Sequence, residues 1–266
     1  MKNVLVLAHD DEGQEARLQA ALDATRALGG HLTCIDVVSP PLVLTDPYAG
    51  AAMAVTIDYA RQVEDENRAR LRRRLAIEDV AWTMREAIGD PADEIEEASA
   101  LADLIVVSSR PKDRDLSDAG PLAGKLALCT GRPILAVPPE CRRFDTSGNV
   151  LVAWDGSNEA SEVLHQAMPL LQLANSAELL LVELSNEVRA AEDAAAYLFR
   201  HGIAASINER PTTGTVAEAV LERAREMGAA YIVMGAFGHG RLAESIFGGV
   251  TRSMLLESDI PLLLAH

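Results

Sequence analysis

Residues 231–251 of the 266-residue chain read YIVMGAFGHGRLAESIFGGVT, an apolar run that breaks into Gly235, Gly238 and Gly240 and later reaches Gly248 and Gly249. Glycine has no Cβ, so it tolerates positive φ and lets a ligand approach backbone amides closely. A helix that begins near Gly249 aims its unpaired N–H groups and the positive end of its dipole at the same place, where a phosphate would be held. In an open α/β sheet such a ligand sits beyond the carboxyl ends of the strands, where the strand order reverses. Asp155 follows the apolar run NVLVAW and is expected to face Gly235 across that point. Its carboxylate can accept hydrogen bonds from ribose hydroxyls.

Other chemistries lack their parts. There is no G-x-S-x-G, H-E-x-x-H, Walker lysine loop or clustered Cys/His spacing in the sequence, which weighs against nucleophilic, zinc and P-loop enzymes. His9 and Asp10, after the first apolar run, and His239, within the glycine segment, are candidates for acid–base work because imidazole titrates near neutrality. The simpler reading of these histidines is solvated or loop-structuring. His239 and Arg241 are placed to touch a phosphate from the side. Slow ATP hydrolysis would need a base or metal ligand beside the terminal phosphate, and Asp155, His239 and Glu244 are the candidates.

The elements that must position these residues occur twice. NVLVLA at 3–8 is answered by NVLVAW at 149–154, ADLIVV at 102–107 by AAYIVM at 229–234, and RPILAV at 132–137 by IPLLLA at 260–265. Short continuous apolar runs of this kind make buried parallel strands. The pattern predicts strands near 3–8, 31–37, 80–87, 103–107 and 133–137, then near 149–154, 178–184, 203–209, 229–234 and 261–265. Helical patterns separate them, such as 158–174 with Ser157 as its N-cap. Alternating strands and helices specify right-handed crossovers and a parallel sheet in each half. Equivalent residues lie 146 positions apart at the first strand and 128 at the last, so the first half carries extra residues in SPPLVLTDPYAGAAMAV. A charged helix at 57–78, with Arg68, Arg70, Arg72, Arg73 and Arg74, reads as a solvated face. Prolines, charges and a glycine in PPECRRFDTSG place a boundary between a first domain, 1–138, and a second, 149–266, joined by a linker at 139–148.

Composition sets further limits. Apolar residues make up 48% of the chain, enough for a core in each half. The formal charge of −16 argues against a general nucleic-acid or membrane-surface binder, although a local anion site at a helix start remains allowed. Cys34, Cys129 and Cys141 form no C-x-x-C pair and suit a reducing compartment as idle thiols. No run reaches the roughly 18 to 20 apolar residues of a membrane span, and the amino-terminal run reads as a strand rather than a signal peptide. A cytoplasmic protein is expected.

Gly235-x-x-Gly238, nine residues, then Gly248 is similar to the G-2x-G-9x-G-[S/T] nucleotide loop of ATP-binding universal stress proteins, and the resemblance covers nearly the whole chain as two copies. It implies an α/β fold of two tandem, open, five-stranded parallel-sheet domains with helices on both faces, Rossmann-like and adenine nucleotide alpha hydrolase-like. It also implies ATP or another adenine nucleotide, with or without Mg, in the second domain. The phosphates would lie on Gly238, Gly248 and Gly249 and the ribose near Asp155. The adenine would lie near Leu184, and Ala153, Met234, Gly235, His239, Val250 and Thr251 would complete the site. Family members of this type are stress-response regulators or nucleotide sensors; the alternatives are a ligand-free scaffold acting by partner binding and a slow ATP hydrolase.

Gly249 stands where the motif usually has Ser or Thr, so a hydroxyl contact is missing; Thr251, in the first turn of the helix, is a candidate substitute. In the first half the equivalents are Ser108, Pro111 and Gly120, followed by Pro121, which has no N–H to offer a phosphate. That half therefore reads as a degenerate copy whose task is pairing with the second, face to face through the two last strands. Further association into a homodimer stays open.

Overall fold

The computed structural model describes residues 1–38, 65–110, 122–182, 188–211, 214–238 and 249–266. The first half contributes β1 (Asn3–Ala8), β2 (His31–Val38), β3 (Ala81–Ile88), β4 (Leu104–Ser108) and β5 (Ile134–Val137). The second contributes β6 (Asn149–Ala153), β7 (Ser176–Val182), β8 (Ala205–Arg210), β9 (Tyr231–Gly235) and β10 (Leu262–Ala265). Helices α1 (Gln14–Leu28), α2 (65–75), α3 (Pro91–Ala98) and α4 (Leu122–Cys129) belong to the first half. Helices α5 (Asn158–Leu171), α6 (Val188–Arg200), α7 (Val216–Glu226) and α8 (Gly249–Glu257) belong to the second.

All ten strands form one sheet in the order β3-β2-β1-β4-β5-β10-β9-β6-β7-β8. Neighbours are parallel throughout except β5 and β10, which run antiparallel with Leu263 opposite Leu135. The two halves thus meet edge to edge through their last strands, and the face-to-face packing expected from the sequence is replaced by a continuous sheet. Each four-residue last strand covers the hydrogen-bonding edge of the other.

Side chains alternate along the strands, so the sheet feeds two cores. Val4, Val6, Leu135, Val150, Val152 and Leu263 face α1, α2, α5 and α6. Leu5, Leu7, Ile134, Leu151, Leu262 and Leu264 face α3, α4, α7 and α8. Helix starts are well specified: Ser157 caps α5 by accepting from Ala160 N, and Thr215 and Glu218 form a reciprocal capping box on α7.

Several local expectations change. Helix α5 ends at Leu171, with Pro169 inside it, instead of running to 174. Strand β7 lies two residues earlier than expected. The charged helix, described from 65 onward, ends at Leu75 instead of running to 78, and its arginines do more than face solvent. Arg68 pairs with buried Asp36, Arg70 with Asp10 and Arg74 with Glu15, fastening α2 to β2 and to the α1 region. Segment 139–148 is no loose tether either. Phe144 is buried, its ring centroid lies 5.3 Å from that of Tyr231, and its N–H donates to Asp23 of α1. No described helix is long and apolar enough to cross a membrane.

Candidate functional site

Strands β6 and β9 pair with Ala153 opposite Met234, so the residues that follow each strand emerge side by side at the carboxyl edge of the sheet. Beyond β6, the Asp155 carboxylate accepts a hydrogen bond from Ser157 N at 3.0 Å, and Gly156 takes a left-handed φ of 71°. This tight turn delivers the chain to the cap of α5. Beyond β9, Phe237 carries a φ of 62°, uncommon for a residue with a side chain and a mark of local constraint. A buried hydroxyl braces that conformation: Phe237 N donates to Thr251 Oγ1 at 3.2 Å.

Two helix starts therefore converge on Phe237–Gly238. Thr251 brings the first turn of α8 to the loop, and a Cβ placed on Gly238 would lie 3.6 Å from Ser157 Oγ, 3.7 Å from Asp155 Oδ2 and 3.6 Å from Glu159 Oε2. Asp155 thus stands beside Gly238; what Gly235 approaches is the backbone of α5. A Cβ on Gly235 would sit 2.8 Å from Ala160 N and from the Glu159 carbonyl carbon. Neither Gly235 nor Gly238 has positive φ; in the described part of the loop that conformation falls to Phe237. At the start of α8, Gly249 is exposed, with no atom of a described residue within 4 Å of where a Cβ would be, and Val250 is also exposed. Leu184, His239, Gly248, Gly240, Arg241 and Glu244 lie outside the described residues, as do Pro111, Gly120, Pro121 and 39–64. Among the described residues no group of three His, Cys, Asp or Glu side chains is set to hold a metal ion.

The corresponding point in the first half is occupied by a side chain. The register that sets Val152 beside Val233 sets Val6 beside Val106, and every buried position of α5 is also buried 146 residues earlier in α1. Arg17 of α1, 1% exposed, stands at the position of Val163. Its guanidinium donates to both oxygens of Asp11 at 2.8 and 2.9 Å, to Ser108 Oγ at 2.6 Å, and to the Leu7 and His9 carbonyls at 3.1 Å each. These partners are the ends of β1 and β4, where a ligand would enter. Gly13 makes room for this: a Cβ there would meet Ser108 Oγ at 2.5 Å. The halves have exchanged their small residue, with Gly13 against Ser108 in one and Glu159 against Gly235 in the other. Sequence reasoning missed Arg17 and Glu159, and it read Ser157 only as the cap of α5. The first was detectable only as an arginine inside the apolar stripe of a helix.

The fold and these two strand ends define a tandem, doubly wound α/β protein with two switch points, one filled by its own arginine. The chain belongs to the universal stress protein family, whose family model matches residues 1–119 and 183–266. A universal stress protein from Archaeoglobus fulgidus superposes with a TM-score of 0.78 at 18% identity, over 98% of this chain and 95% of that one. A putative universal stress protein from Pseudomonas aeruginosa gives 0.57 at 17% identity, over 100% and 93%. A functionally unknown protein, also from Pseudomonas aeruginosa, gives 0.59 at 18% identity, over 100% and 92%. At these identities the likeness is one of fold. A comparison with curated proteins finds no relative.

Proposed function

We propose that this universal stress protein binds one adenine nucleotide, ATP or a relative of it, in its second half and acts as a nucleotide-responsive stress regulator. The observation that carries the reading is the convergence of the α5 and α8 starts on Phe237–Gly238, with Asp155 beside them. Backbone amides at helix starts suit phosphate, and a carboxylate next to them suits ribose hydroxyls. In this reading Gly238, Gly248 and Gly249 hold the phosphates, with His239 and Val250 at their side. Ala153, Met234 and Leu184 line the base, and Gly235 lets α5 close on β9. Thr251 acts by bracing Phe237. The first half, residues 1–138, takes no nucleotide, because Arg17 fills the corresponding place.

Mass spectrometry of the gently purified full chain is expected to reveal a carried-over adenine nucleotide, and calorimetry on the stripped protein a stoichiometry of one per chain. Two equal sites, or none for any adenine nucleotide, would overturn the proposal.

A further inference from the structure

Glu159 lies between the two described glycines that flank the loop: its backbone touches Gly235, and its carboxylate Oε2 sits 3.6 Å from the Cβ position of Gly238. It is half-buried and has no hydrogen-bond or ion-pair partner among the described residues. Asp155, the other carboxylate of this corner, is engaged by Ser157 N. The dipole of α5, whose first turn holds Glu159, balances part of its charge. The remaining negative charge next to backbone that would receive phosphate opposes each added phosphate charge, the more strongly where protein lowers the local dielectric.

Resting on the nucleotide reading above, we infer that Glu159 is a specificity-determining residue that discriminates against uncomplexed polyphosphate. It makes the second-half site favour an adenine nucleotide of low phosphate charge, a monophosphate, over the free triphosphate. The glycines and helix starts supply attraction to any phosphate; Glu159 grades that attraction by charge. A divalent cation bound to the triphosphate cancels much of the penalty, so the discrimination belongs to the cation-free nucleotide.

The test is calorimetry of the full chain and of Glu159→Gln with adenosine, AMP, ADP and ATP, first with a chelator and then with excess Mg. Glutamine keeps the size and removes the charge. The inference expects affinity for chelated ATP to rise roughly tenfold in the variant, for AMP by about twofold, and for adenosine not at all, with the ATP gain shrinking in Mg. A change equal for all four ligands, or no change, overturns the inference and leaves nucleotide binding standing. Failure of both proteins to bind any of the four sinks the nucleotide reading, and this inference with it.

Discussion

The glycines of the loop have separable roles, and single substitutions should pull them apart. Gly235 is packed against backbone: a methyl group there would stand 2.8 Å from two main-chain atoms of α5, which cannot swing aside as a side-chain tip can. Gly235→Ala is expected to lower stability by about 1–3 kcal/mol through this overpacking, measurable by urea denaturation. Gly238 has no positive φ, and its Cβ position meets neighbours only at ordinary distances of 3.6–3.7 Å. Gly238→Val should therefore keep the melting temperature close to that of the parent while abolishing nucleotide binding, because the branched side chain would occupy the place proposed for the phosphate. A valine variant with full affinity for ATP and ADP would reduce the loop to a connection. Of the residues that the sequence singled out, Asp155 does come to Gly238 and Thr251 to the loop, since glycine spacing and an aspartate after an apolar run are local signals. It did not show that strain sits on Phe237, that Thr251 braces it, or that Gly235 serves packing. Those facts depend on how closely α5 and α8 approach β9, a tertiary distance with no trace in spacing. Arg17 was hidden for a related reason: its charge becomes acceptable only through Asp11, Ser108 and two strand-end carbonyls brought together by the fold.

Among the elements, the buried strands were legible because a strand covered on both faces must be continuously apolar. All ten strands begin and end within two residues of expectation. The outer strands β3 and β8 are mixed in burial and polar in composition, yet the expected 80–87 and 203–209 locate them equally well. What secures β8 is charge placement. Glu178 of β7 accepts from Arg223 of α7 at 2.7 Å through both oxygens, and from Asn208 of β8 at 2.9 Å. The Arg223 hydrogen bonds hold the Glu178 carboxyl below the usual carboxylate range against the opposing effect of burial, with Asn208 and the charge of Arg223 assisting. A carboxylate whose folded pKa is depressed stabilises the fold above its unfolded value, near 4.3, and that contribution is lost as pH falls through the folded value. Glu178→Gln is accordingly expected to cost about 1–3 kcal/mol at pH 7. The gap between parent and variant should close as pH falls below about 4. Urea melts of both proteins at pH 7, 4 and 3 measure the gap. A gap independent of pH would mean that packing, and not the ion pair, secures this corner.

At the scale of the whole molecule, the repeat becomes a single body through one antiparallel joint. Every residue of β5 and β10 is buried at 1% exposure or less, and side chains from both strands enter both cores. Phe144 adds a second tie by packing on Tyr231 of β9 while its N–H bonds Asp23 of α1. Neither tie can open without exposing apolar strand to water, so the full chain should unfold in one cooperative transition. The joint also dictates how a separated half behaves. Residues 149–266 alone would carry β10 as a bare edge, and an unpaired apolar edge recruits another strand. Because β5 and β10 are counterparts that pair antiparallel, two copies of β10 can meet in the same way around a twofold axis. Sedimentation of the folded 149–266 fragment at tens of micromolar should thus show a dimer, and Leu263→Lys in that fragment should shift it toward monomer. A fragment that is folded and monomeric at that concentration would mean that β10 needs no partner strand. The antiparallel joint would then serve to fix the arrangement of the halves without stabilising either of them.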